Sequence, residues 1–256
     1  MAVYCSFFVL APIHPLPYAS KMARIARVVA PGIAHHVTQR GNRRLPTFFG
    51  ADDYATYRAL IADSCRQANV QVLAYCLMPN HVHLVLVPAT ADGLRDALAE
   101  AHRAYSALIN QRKGWTGHLW QERFHSCPMD DAHTVAAVRY VELNPVRARM
   151  VPTPEAWPWS SAAAHVLGQA DELVSATLPP PLDTIGPWAA YLAGVETDAA
   201  AFDRLRSHQQ TGRPLGSDAF VAELEAQTKR ILTPRRAGRP RKTQANTGQL
   251  DLWSGE

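Results

Sequence analysis

Met78-Pro79-Asn80-His81-Val82-His83-Leu84-Val85-Leu86-Val87 decides how this chain is read. A run of Val and Leu is bounded by Pro79-Asn80 before it and Pro88 after it, the mark of a strand entered from a turn. Side chains in a strand alternate between faces, so His81 and His83 project together. Val82, Leu84 and Leu86 face the other way, into a core. Two neutral imidazoles at that spacing can share a divalent cation. The same spacing also suits two solvated or core histidines, and so short a motif recurs by chance.

Upstream, residues 33–41 read as a first strand, with β-branched residues and a closing Gly41-Asn42 turn. His36, Thr38 and Arg40 share one of its faces. Arg40, Arg43 and Arg44 cluster at its end, where they can hold backbone phosphates or simply be solvated. Asp52 is the expected cap of a helix over 53–68, with Tyr54, Tyr57, Ile61, Cys65 and Ala68 as its apolar stripe. Its tyrosines read as core. A second strand over 70–77 meets the His strand through the Pro79-Asn80 turn as an antiparallel hairpin.

Downstream, Leu94, Leu98, Ala101, Tyr105 and Leu108 recur along one face of a helix over 91–112 that Gly114 ends. Its polar face carries Arg95, His102, Arg103 and Arg112. Residues 118–126 read as a fourth strand. The order β-α-β-β-α-β places the chain in the α+β class, with a ferredoxin-like antiparallel sheet and helices on one face.

A helix over 131–144 follows, with Val135, Val138 and Val141 as its packing face. Tyr140 and Asn144 are four apart and so share a side, and Pro145 should end the helix. From the residues alone, Tyr140 reads as a packed tyrosine. Residues 151–161 form a Pro-rich connection in which Trp157 and Trp159 should pack, an exposed Trp being also able to stack on a base. A short helix near 161–167 should close the domain. Residues 169–185 read as a linker. Helices at 186–194, 198–209 and 217–230, the last capped by Ser217, make a small accessory domain over 186–232.

Charge is unevenly placed along the chain. Residues 229–242 hold seven basic side chains and no acid, leaving 19 basic against 22 acidic elsewhere. Arg235, Arg236, Arg239 and Arg241 sit in this tail, taken as 233–256, whose Gly238-Arg239-Pro240 is similar to an AT-hook core. Ala237 stands where such a hook carries arginine. The reading as a solvated charged end stays open. Cys5, Cys65, Cys76 and Cys127 form no C-x-x-C pair, which argues against a zinc knuckle or disulfide framework and fits a reducing compartment. No apolar run reaches membrane-spanning length. Residues 1–21 lack the basic start of a secretory signal and are expected to be a disordered or absent extension, with the domain proper at 22–168.

Three strings in order, MPNHVHLVL, RYVELNPVRA and WPWSS, resemble the HUH single-tyrosine transposases, in the branch of the REP-associated tyrosine transposases. The resemblance covers roughly residues 22–168, and HUH nucleases have the ferredoxin-like fold. It implies Tyr140 as nucleophile and Mg²⁺ or Mn²⁺ on His81, His83 and Asn144. It further implies cleavage and rejoining of single-stranded, hairpin-associated DNA through a 5′-phosphotyrosine, with REP-like palindromes as target. Arg40, Arg43, Arg44, Arg147 and Arg149 are then the expected backbone contacts, with His36 or Glu122 as candidate base. A cytoplasmic, nucleoid-associated protein is expected, monomer or homodimer. The alternatives are a DNA-binding regulator that does not cut and a metal-dependent phosphodiesterase that uses water.

Overall fold

The computed structural model describes residues 25–174, 179–194 and 199–234. The expected extension 1–21 and the tail arginines Arg235, Arg236, Arg239 and Arg241 lie outside the described residues. Four strands, β1 (Ala34–Arg40), β2 (Val70–Met78), β3 (His81–Pro88) and β4 (His125–Met129), form one sheet in the order β2-β3-β1-β4. Every pairing is antiparallel. With α1 (Ala51–Gln67) between β1 and β2 and α2 (Gly93–Lys113) between β3 and β4, this is the split βαβ arrangement.

Strand alternation sorts the residues between two cores. Val37, Val82, Leu84 and Leu86 face α1 and α2 and pack with Tyr57, Ile61, Leu98 and Tyr105. Each fully buried aliphatic side chain there contributes about 1.5–3 kcal/mol. Ala74, Cys76 and Val85 face the other way, against α3 (Asp131–Glu142), α6 (Trp188–Ala193) and α7 (Ala199–Thr211). The helices expected to form an accessory domain therefore share a core with the sheet: Trp188, Leu192, Phe202 and Leu205 bury beside Val85 and Val138. The last helix, α8 (Asp218–Thr228), has the expected Ser217 cap and packs through Leu224 on Val28 and Ala30.

Local chemistry explains where elements begin and end. Gly50, not Asp52, caps α1; Asp53 in the first turn accepts from the Phe49 amide at 2.7 Å and pairs with Arg112. On α2 the stripe ends at buried Ile109, while Leu108 is exposed. Gly114, at φ 64°, takes the left-handed conformation that stops that helix. The fourth strand starts at His125, not 118. Glu122 has φ 55°, which no strand accommodates, and Gln39 donates to the carbonyls of Gln121 and Glu122. Leu119, Trp120 and Phe124 are apolar because this loop is pressed into the first core. At the far side, the Leu77 amide donates to the Trp159 carbonyl, and the Trp157 indole donates to the Leu77 carbonyl. The tryptophans thus cover the free edge of β2, with Trp159 stacked on Tyr54.

Candidate active site

The register of three strands assembles the site. Thr38 lies opposite His83 and Arg40 opposite His81, while His125 lies opposite Thr38 on the other side. Paired residues share a face, so His36, Thr38, Arg40, His81, His83 and His125 all project to the α3 side. Gly41 ends β1 where nothing larger fits: a Cβ there would stand 2.4 Å from the Leu45 carbonyl oxygen. That close approach folds the Asn42–Arg44 turn back beside the histidines. Asn80 fixes the turn from the other side, donating to the Arg44 carbonyl.

α3 brings the tyrosine. Its N-terminus is capped by the Asp130 carboxylate, which accepts from the His133 amide at 3.0 Å. Its C-terminus is pinned by Glu142, fully buried, which accepts from Ser161, from His165 on α5 (Ala162–Leu167) and from the Trp188 indole at 2.6, 2.6 and 2.7 Å. The helix proper stops at Glu142, because Pro145 has no N–H for the Val141 carbonyl, and a further turn, α4 (Asn144–Arg147), follows. Asn144 still comes round beneath Tyr140, its amide donating to the Tyr140 carbonyl at 3.1 Å.

Tyr140 meets the imidazoles edge to face, its ring centroid 5.6 Å from that of His83 and 5.9 Å from that of His36. His36 Nε2 and His83 Nδ1 are hydrogen-bonded at 3.1 Å. His81 Nδ1 is 2.7 Å from the Asn80 side-chain oxygen, which places its proton there and leaves a lone pair on Nε2. Burial, then Arg40, lowers the His81 pKa to about 4. Burial lowers His36 to about 4 as well. Burial, then the neighbouring His81, His36, Arg40 and Arg147, holds His83 well below the usual histidine value. All three are therefore neutral at pH 7, fit to offer lone pairs and unfit to act as acids.

A cavity of about 380 Å³ opens onto this group. Arg40, Arg44, His81, His83, Tyr140 and Asn144 line it, with His125 and Gln121. Of the sequence-expected arginines, Arg40 and Arg44 are at the cavity and Arg43 is exposed next to them. Arg147 lies over the Tyr140 ring at 4.7 Å instead, and Arg149 is exposed on the turn after α4. Of the two candidate bases, His36 touches Tyr140, whereas Glu122 lines a separate cavity beside α2. Among the described residues, Arg40 and Arg44 form no ion pair and no acidic side chain lines the cavity, so it is short of negative charge.

The sequence reading expected a helix over 198–209, which is α7, but not its place at this site. Phe202 packs on the Tyr140 ring at 5.1 Å, and Gln209 donates to the Thr38 hydroxyl. Arg206 and Gln210 complete the lining. One signal was there: in the stripe Phe202, Leu205, Gln209, a polar residue stands where helical spacing demands an apolar one.

Among the described residues, no three of His, Cys, Asp or Glu form a metal group. The available donors are two neutral imidazoles and the Asn144 amide oxygen, a set that fits a divalent cation in kind and suits Mn²⁺ better than Mg²⁺. No helix among the described residues is long and apolar enough to cross a membrane.

Comparison with known proteins bears on the resemblance, and the family match takes in the first of the three strings and part of the second. Residues 30–144 match the family described as Transposase IS200 like. A Haemophilus influenzae protein whose assigned name is REP-associated tyrosine transposase is 24% identical over 116 residues, 41% of this chain and 66% of the relative. The match thus spans just under two thirds of that curated relative. The solved structure of a REP-associated tyrosine transposase bound to a REP hairpin superposes with a TM-score of 0.49 at 20% identity, over 65% of this chain and 96% of that one. The resemblance read from the sequence is borne out.

Proposed function

We propose that this chain, whose residues 30–144 are similar to the IS200-like transposases, cuts and rejoins single-stranded DNA through Tyr140. The observation that supports it most is the meeting of Tyr140, His83 and two unpaired arginines at one cavity. The Tyr140 oxygen attacks the scissile phosphorus, and the bond to the departing 3′ oxygen breaks. That oxygen leaves as a 3′ hydroxyl, and the 5′ phosphate stays on the tyrosine. Bond energy is kept in the phosphotyrosine, so a later strand end can reverse the step without ATP.

Arg40 and Arg44 hold the phosphate and oppose its charge, as fixed donors do most effectively in a water-poor site. Arg147, packed over the Tyr140 ring, holds that ring and favours the phenolate as the proton leaves. His36 is the candidate acceptor of that proton, since its ring is in contact with that of Tyr140. His81, His83 and Asn144 would hold a Mn²⁺ or Mg²⁺ ion, which when bound polarises a phosphate oxygen. Tyr140 lies against His83 of its own chain, which supports a protein that acts without a partner's tyrosine. A single strand or hairpin end is the fitting substrate, since a duplex phosphate is held too rigidly to enter. REP-like palindromes are the proposed target, in line with the relatives' names.

The test is to incubate the protein with a labelled hairpin oligonucleotide carrying single-stranded flanks, with Mn²⁺, and then denature it. A covalent protein–DNA adduct is expected, and Tyr140→Phe should lose it entirely while keeping its melting temperature. Cleavage without an adduct means water is the nucleophile. Binding with neither means a regulator.

A further inference from the structure

Among the described residues, Trp115 is the most exposed tryptophan, at 48%, and it lies edge to face with Phe49, itself 38% exposed, at 5.7 Å. Lys113 places its ammonium 4.4 Å from the Phe49 ring centroid. This exposure is not that of a loose loop. The Trp115 amide bonds to the Asn110 carbonyl at 2.9 Å, and the Asn110 side chain bonds to the Gly117 carbonyl at 2.9 Å. The turn carrying Trp115 is thus built to hold the indole out in water.

The pair is also continuous with the active site. Asn42 joins the two loops through bonds to His118 and Leu119, and Gly41 bridges to Trp120. Asn80 bonds both His81 and the Arg44 carbonyl. The Asn42–Arg44 turn therefore lies between the cavity on one face of the sheet and the aromatic pair at the ends of α1 and α2 on the other. Exposed Arg43 and Arg44 stand on that turn. Of the nearby acids, Asp53 is paired with Arg112, and Asp52 is exposed. The net charge of the path is positive.

We propose that Trp115 and Phe49 form a stacking platform for an unpaired base of single-stranded DNA, one that flanks the scissile phosphate. The strand leaves the cavity over Arg43 and Arg44, rounds the end of the sheet, and lays one base on the indole. Lys113 meets the adjoining phosphate. A flat aromatic face beside cations suits a nucleobase without demanding one sequence, since every base has a π-face. The proposal rests on the reading of this chain as a single-stranded DNA enzyme and adds where the strand runs.

Full-length protein and Trp115→Ala are compared in binding to the hairpin oligonucleotide, with abasic nucleotides placed one at a time along each single-stranded flank. The wild type should show one or two flank positions where removing the base weakens binding by on the order of tenfold, the loss of one base–aromatic stack. Trp115→Ala should bind the intact oligonucleotide weaker by a similar factor and should be insensitive to the abasic change there. Trp115→Phe should restore both. At saturating DNA all three proteins should form the Tyr140 adduct, so a missing adduct in the wild type counts against the proposed reaction alone. If Trp115→Ala binds like the wild type, or loses affinity while keeping the same abasic sensitivity, the platform is refuted. Wild-type protein that binds no single-stranded DNA overturns both readings.

Discussion

On the face that α1 and α2 cover, β1 and β3 present Val37, Val82, Leu84 and Leu86, all fully buried among aromatic and aliphatic side chains. On the face that α3 and α7 cover, the same two strands present His36, Thr38, Arg40, His81 and His83 around a polar cavity. The two sets interleave residue by residue. Fold and chemistry are thus written in one stretch with a period of two, and each fixes the other. A slip of one residue in register would put imidazoles into the dry core and leucines into the cavity. The dry face makes the histidines' position certain, and the wet face gives the strand a reason to carry polar groups at all.

The sharpest way to break this comparison is a pair of neighbours. His83→Ala should lower adduct formation by about 10²- to 10⁴-fold, the scale of losing a group that holds the ion at the reacting phosphate. Its urea midpoint should stay near that of the wild type, because a neutral histidine beside a cavity supports little of the core. Leu84→Ala should do the reverse. It should cost about 2–5 kcal/mol of stability through the cavity left between β3 and the helices. Adduct formation per folded molecule should be preserved. If both variants lose the same property, the two faces are not separable and the division of labour fails.

A smaller effect tests the dry face from inside. His35 and His102 lie on that side. His35 accepts from the Ala30 amide at Nε2 and bonds the Ile33 carbonyl at Nδ1, which makes it a neutral ring with both nitrogens used. His102 lies between Tyr57 and Trp120 and bonds the Tyr57 hydroxyl at 3.0 Å. Burial lowers His35 to about 4 and His102 to about 3. Between those values and about 6.5 the unfolded chain binds protons that the folded chain refuses. Stability is therefore fully present above pH 6.5 and falls as the pH drops toward 4. Each histidine contributes a slope of up to about 1.4 kcal/mol per pH unit. Urea unfolding at pH 7.5 and pH 5 should show this loss, and His102→Gln should flatten it by one histidine's share. A pH-independent midpoint would show that these rings are not held neutral.

The sequence carried much of this, and the parts it hid share a cause. The alternation in His81-Val82-His83-Leu84 and the spacing of Tyr140 and Asn144 are local, so both could be read from neighbours in the chain. The start of β4 could not. Leu119, Trp120 and Phe124 are apolar because a loop is pressed against α2, and composition does not tell that from a strand. His102 looked like part of a polar helix face, yet it is covered by Trp120 from that same loop. The contribution of α7 is the extreme case. Gln209 reaches Thr38 across the whole domain, and nothing near either residue announces the other. An apparent change of composition near residue 180 suggested a separate domain, whereas Trp188 and Phe202 finish the core on which Tyr140 rests.

The weakest expected effect sharpens the wet face most finely. Arg44 lines the cavity from an exposed turn and has no ionic partner among the described residues, so its charge is available to a phosphate. A residue that only neutralises a phosphate releases about one counterion on binding, which fixes the signature of its loss. Arg44→Ala should reduce the slope of log affinity against log salt for single-stranded DNA by roughly 0.7. The loss of affinity should be similar for oligonucleotides of different sequence, because a phosphate contact carries no base information. Arg66, exposed on α1 and paired with Asp63 at 2.7 Å, is the control: Arg66→Ala removes the same formal charge and should leave the slope unchanged. An equal change from both variants would mean that net charge, and not the place of Arg44 at the histidine face, draws DNA to the protein.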